Sequence, residues 1–234
     1  MKTIRFLKLV ILGFCLVMVG LLIHKNYLKL PADRISFASV KDTLAVDEEW
    51  MGIYFKGEKV GYAVTITKRV GDSYDIFEHS LMHLNMSGTK QRIELKLKSS
   101  VNKDFSLRSF KLFLSSGPVK YSLEGEIIGK NLNLTMISGK NKNQTTLKLK
   151  EVLYLANAIK PYVLKHGLEA GKRYRLPFFD PSTLSRSEID IEVTGMEKML
   201  HRDKPVMTYR LKECFKGIET IVWVSEAGET LREE

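Results

Sequence analysis

The residues best able to do nucleophilic or metal chemistry in this 234-residue chain are two cysteines and five histidines. Their spacing gives neither chemistry. Cys15 lies inside an apolar run, Leu9–Ile23, so it cannot pair with Cys214 in the same chain. Cys214 falls in a strand-like stretch with no base placed beside it, as a thiolate nucleophile needs. It reads as a small buried hydrophobe. His79 and His83 form an H-x-x-x-H, which on a helix would put two imidazoles on one face. Their segment alternates like a strand, where four residues span about 13 Å, too far for one metal ion.

Asp190 and Glu192 share the polar side of a strand and need no catalytic role. Gly139-Lys140 and Gly171-Lys172 lack the glycine spacing of a phosphate loop, and no G-x-S-x-G is present. The sequence therefore offers no catalytic residue, no metal ligands and no cofactor, and an enzyme is the last-ranked reading.

A set of aromatics remains. Trp50, Tyr54, Tyr62, Phe178, Phe179 and Trp223 recur near strand ends and turns. Most aromatics at such positions are core. In a curved sheet the same residues would line a concave apolar pocket, the usual form of a small-molecule site, so these six are the candidate ligand-binding residues.

The elements that must position them follow from the pattern between residues 50 and 234. Alternating apolar residues with turn residues at short intervals read as antiparallel sheet. Trp50–Phe55 and Glu58–Val70 flank Lys56-Gly57, which suits a type I′ turn and sets Gly52 opposite Gly61. A loop at Gly57-Glu58 would remove that pairing. Ile93, Leu95 and Leu97 alternate with Arg92, Glu94, Lys96 and Lys98, a strand with one wet face. Near 151–166 the alternation stops. Val152, Leu155 and Ile159 share one helical face, Pro161 begins a further turn, and Gly167 caps it. The fold class is mainly β: one strongly curved antiparallel sheet, a half-barrel, with a helical insert. A β-sandwich is the rival, since so many strands must curl, split or close.

Upstream, Lys2, Arg5 and Lys8 precede the apolar run, and His24-Lys25 follow it. No small-residue cleavage site comes before Pro31, so residues 1–25 read as an uncleaved membrane anchor, one transmembrane helix with its N-terminus inside. The alternative is a signal peptide cut at an atypical site. Residues 26–49 read as a stalk. This arrangement implies a bacterial inner-membrane protein with a single pass and its C-terminal domain in the periplasm or outside. The formal net charge of +10 is spread along the chain. Without a clustered reading motif it does not indicate nucleic acid. Anionic headgroups or envelope polymers suit it better as partners, but simple solubility is the favoured reading of this charge.

Two stretches carry a family likeness. Trp50-Met51-Gly52-Ile53-Tyr54 followed by Gly57-Glu58-Lys59-Val60-Gly61-Tyr62, and the closing Trp223-Val224-Ser225-Glu226-Ala227-Gly228-Glu229-Thr230-Leu231-Arg232-Glu233-Glu234, resemble the anchored, non-catalytic N-terminal region of bacterial transglutaminase-like envelope proteins. Phe178-Phe179-Asp180-Pro181 and Val193-Thr194-Gly195-Met196-Glu197 resemble a related exported domain family of unknown function. That family is similar in outline to the half-barrels of lipoprotein carriers. The resemblance implies a curved sheet with a helical insert and transfers no catalytic residue. In such relatives the catalytic domain would follow this region, and this sequence stops at Glu234.

The expected function is a membrane-tethered extracytoplasmic binding module for a lipid, another apolar ligand or an envelope partner. The alternative is a non-catalytic spacer or docking domain of a transglutaminase-like or protease-like envelope enzyme.

Overall fold

Alternation broken by two-residue turns builds an eight-stranded meander in which every strand pairs antiparallel with the next. The structure, a computed structural model, describes residues 46–86, 89–139 and 141–234. The strands are β1 (Val46–Phe55), β2 (Glu58–Val70), β3 (Ser73–Met86), β4 (Thr89–Val101), β5 (Leu107–Ser116), β6 (Val119–Ile128), β7 (Asn131–Ser138) and β8 (Asn141–Lys148). β1 starts at Val46, so Val46–Glu49 of the expected stalk range are strand. The expected anchor and the rest of the stalk lie outside the described residues. Among those described, no helix is long and apolar enough to cross a membrane.

The first turn forms as its residue types require: Lys56 and Gly57 both have positive φ, 52° and 83°, the type I′ geometry. The expected Gly52–Gly61 pairing does not form. An irregularity between Ile53 and Tyr54 shifts the register, so Gly52 faces Tyr62 and Gly61 faces Ile53. Gly61 is needed for its other neighbour. A Cβ there would stand 2.0 Å from the Leu81 carbonyl oxygen on β3.

Because directly paired residues share a face, the register divides this sheet into two sides. One inner row runs Glu49, Thr65, Glu78, Leu97, Leu112, Leu123 and Met136. The next outer row runs Trp50, Val64, His79, Lys96, Phe113, Ser122 and Ile137. This inner row is thus apolar across β4–β7 and carries its two carboxylates on β1 and β3. Its apolar part joins Leu107, Phe110, Leu132, Leu153, Leu155 and Phe179 in one buried cluster. Each such side chain contributes about 1.5–3 kcal/mol by leaving water.

The sheet does not continue into the remaining strands. β9 (Arg173–Asp180), β10 (Ser185–His201), β11 (Lys204–Phe215), β12 (Ile218–Ser225) and β13 (Thr230–Glu233) form a second, five-stranded antiparallel sheet in the order β13-β12-β11-β10-β9. In place of one curled sheet there are two, and neither closes into a barrel. The break has a local cause. Residues 149–155 leave the ladder and lead into a short helix, α1 (Ala156–His166). This segment stitches the sheets together along one side: Leu107 N–H donates to the Leu153 carbonyl at 2.7 Å, Tyr154 N–H to Pro177 at 2.9 Å, and Phe179 N–H to Tyr154 at 2.9 Å.

α1 begins later than the pattern suggests, and Val152 lies before it, more than half exposed. Gly167 caps the helix as expected, with φ 103° and its N–H on the Val163 carbonyl. Ala158, Ile159 and Val163 are buried in the second core cluster, with Ile76, Val101 and Phe105 on one side and Leu176, Ile191 and Leu211 on the other. Pro161, inside the helix, lacks the N–H that would meet the Asn157 carbonyl.

Candidate functional site

The seam opposite residues 149–155 lies between edge strands β1 and β13. No main-chain hydrogen bond joins these two strands among the described residues. A single side chain bridges them. One Glu49 carboxylate oxygen accepts the Thr230 main-chain N–H, and the other accepts from the Lys160 ammonium of α1. Beside this contact a cleft of about 1060 Å³ opens. Its lining includes Trp50, Met51 and Tyr54 from β1, His201 from the β10–β11 tip, and Arg232 and Glu233 from β13.

The wall behind the cleft is acidic from both sheets. Glu49 and Glu78 lie in one inner row of the first sheet, separated by Thr65. Glu213 lies in register with Ile191 and Thr220, and Glu233 stands opposite Val222, on the inner face of the second sheet. The carboxyls raise one another's proton affinity, as like charges held out of water must. Burial, and then nearby Glu233, push Glu213 up to about 7. Burial and then Glu233 raise Glu78, against an opposing hydrogen bond from Ser80. Burial and then Glu49 raise Glu233. Glu213 can therefore hold or release a proton near neutrality, and of these four carboxyls Glu233 is the one that lines the cleft, beside Glu234.

The six aromatics expected to line a pocket do not gather around one. Trp50 and Tyr54 line the cleft and are mostly exposed, at 62% and 64%. Tyr62 packs on Trp50 with ring centroids 5.5 Å apart, on the outer face of the first sheet. Phe178 and Phe179 are core, against Phe215 at 4.6 Å and Phe110 at 5.7 Å. Trp223 is on the outer face of the second sheet, donating its indole N–H to Glu197 under the Arg232 guanidinium.

Tyr62 also meets His79 edge-on at 5.8 Å, and His79 Nε2 lies 3.0 Å from Glu94 Oε1. Lys96 at 2.9 Å, then His79 and Arg92, hold the Glu94 carboxyl below its usual range. His83 pairs with Arg92 across the ladder. Among the described residues no three His, Cys, Asp or Glu side chains are arranged to hold a metal. Asp190 and Glu192 bind Arg175 and Arg173 on the wet face of β10. Cys214 lies in β11 as expected, but it is only half-buried, paired with Asp190 and Glu219 on that same polar face.

The carboxylates went unseen in the pattern, although one signal was present. Glu213 sits two residues from Leu211 and from Phe215, in phase with the buried face of β11. A carboxylate at a core position is the anomaly that marks a site. Glu49 was hidden in the expected stalk.

In comparisons with known proteins, no family model and no curated protein matches this chain. Similar solved structures include these two. One is a β-barrel-like protein of the domain-of-unknown-function family DUF1849 from Brucella abortus, with a TM-score of 0.56 at 9% identity, covering 80% of this chain and 87% of the other. The second is a DUF1089 family protein from Pseudomonas aeruginosa, with a TM-score of 0.44 at 13% identity, covering 82% of this chain and 97% of the other. The first likeness shows a β-barrel-like fold.

Proposed function

We propose that residues 46–234 form a binding module whose ligand, a lipid or other amphipathic molecule, lies in the cleft between β1 and β13. The cleft itself carries the reading: about 1060 Å³ lies beside a seam that, among the described residues, main-chain hydrogen bonds do not close, and ligand sites are concave and few. Trp50, Met51, Tyr54 and Leu231 would take the apolar part, and the Glu233 and Glu234 carboxyls would take hydrogen-bond donors or a cation. The basic-flanked apolar run of residues 1–25 supports a tether that holds this module beside a bilayer, outside the cytoplasm.

The test uses the full chain and a dansyl-labelled fatty amine, with the matching fatty acid as comparison. Ala63 lines the cleft on the inner face, so Ala63→Phe fills it. Saturable binding of the amine, weakened about tenfold or more by Ala63→Phe, is expected. Equal binding by that variant, or no saturable binding of either probe, would overturn the reading.

A further inference from the structure

The meander sorts its turns by edge. Turns after β1, β3, β5 and β7 fall on one edge of the first sheet, and turns after β2, β4 and β6 on the other. Helix α1 packs near the second edge, with Val163 in one cluster with Val101 and Phe105, and with Lys165 Nζ donating to the Lys103 carbonyl at 2.6 Å. The two edges differ in charge. Within three residues of its turns the described residues of the first edge carry Lys56 and Lys59 against Glu58, then Lys90, then Lys120, then Lys142, a net +4. The second carries Lys68 and Arg69 against Asp72 and Asp75, Lys103 and Arg108 against Asp104, and Lys130 against Glu126, a net +1.

The first edge also exposes apolar side chains beside its lysines. Phe55 is 55% exposed, with Lys56 Nζ 5.5 Å from its ring centre, and Val119 next to Lys120 is 59% exposed. The cleft reaches this same edge, since Gly57 of the first turn is part of its lining with Arg202 of the β10–β11 tip.

We propose that this lysine-tipped edge docks on the anionic surface of a lipid bilayer. Lysines next to a negative leaflet each add roughly fivefold to binding, and their stems lie along apolar surface while the ammonium stays at the headgroups. Exposed Tyr54, Phe55 and Val119 suit the boundary between headgroups and acyl chains. A soluble anionic polymer would use the lysines and leave those side chains in water, so the bilayer is the better partner. Because Tyr54 and Gly57 also line the cleft, protection at 117–120 separates docking from a ligand entering the cleft, and failure of docking would not affect the fatty-amine result.

Hydrogen–deuterium exchange on the unmodified full chain tests it. The protein is mixed with nanodiscs of phosphatidylcholine alone or of phosphatidylcholine with phosphatidylglycerol. Exchange at 54–59 and 117–120 should slow about tenfold or more on the phosphatidylglycerol discs, with no change at 71–72 or 102–104. Combined Lys56→Glu, Lys120→Glu and Lys142→Glu should remove that protection. Equal protection on both edges, equal protection on uncharged discs, no protection at all, or protection by inorganic polyphosphate but not by lipid would each overturn the proposal.

Discussion

Glu49 accepts the main-chain N–H of Thr230, so a carboxylate on the first described strand holds the edge of the last. The same side chain carries the Lys160 contact. Replacing it removes an inter-sheet bond and leaves an ammonium that is three-quarters buried with no counter-charge. Glu49→Ala should destabilise the fold by about 1–3 kcal/mol. Thermal unfolding would read the loss, and the Thr230 amide should exchange faster at temperatures where the protein is still folded.

Stability should fall as pH rises through neutrality. An acid whose folded pKa exceeds its unfolded value binds more protons when folded, so its contribution is present below the unfolded pKa and is lost on going up through the folded one. For Glu213 that window runs from its ordinary 4.5 to about 7, and Glu78 and Glu233 shift the same way. Asp104 and Asp180 act oppositely. Burial works against their charge, but hydrogen bonds from Ser106, and from Ser182 and Thr183, hold them below 3.8, so their contribution is lost in stronger acid. Urea midpoints should be higher near pH 5 than near pH 8, and Glu213→Gln should flatten most of that slope. A midpoint that rises from pH 5 to pH 8 would contradict the raised carboxyls.

Gly61→Ala should be among the most damaging single changes. Its Cβ would meet main chain at 2.0 Å, and main chain cannot rotate away. A loss of about 3 kcal/mol or more is expected. Gly57→Ala, in open space at φ 83°, should cost only about 1 kcal/mol. Paired denaturation curves would separate the two.

The aromatics should divide by placement. Phe179 is fully buried against Phe110, so Phe179→Ala should cost about 3–5 kcal/mol. Trp50→Ala on the exposed edge strand should change stability by about 0.5 kcal/mol or less while weakening retention of the fatty-amine probe. Weak binding by a fully folded Trp50→Ala protein would separate site from scaffold.

Most of the strands were legible because alternation needs only neighbours: Ile93, Leu95 and Leu97 announce their strand without outside help. The division into two sheets was not, since it depends on main-chain bonds between Leu153 or Tyr154 and residues far along the chain. The bulge that moves Gly61 from Gly52 to Ile53 leaves Val60 without a partner on β1, and alternation treats Val60 as an ordinary strand residue. The candidate site was nearly invisible. Its carboxylates come from four separate strands, and only tertiary packing makes a Glu two residues from a buried Leu into a cluster.

The strict sequential order of the strands bears on how the chain acquires its shape. Each hairpin can form as soon as its own residues are available, so most of the native structure is assembled from local contacts, the condition for rapid folding. During synthesis the eight-stranded sheet can be complete before the second sheet exists. The Glu49–Thr230 bond spans 181 positions and can only come at the end. Until then Glu49 and Glu78 on the first sheet stay wet, and burial of those side chains is deferred to the last step of folding.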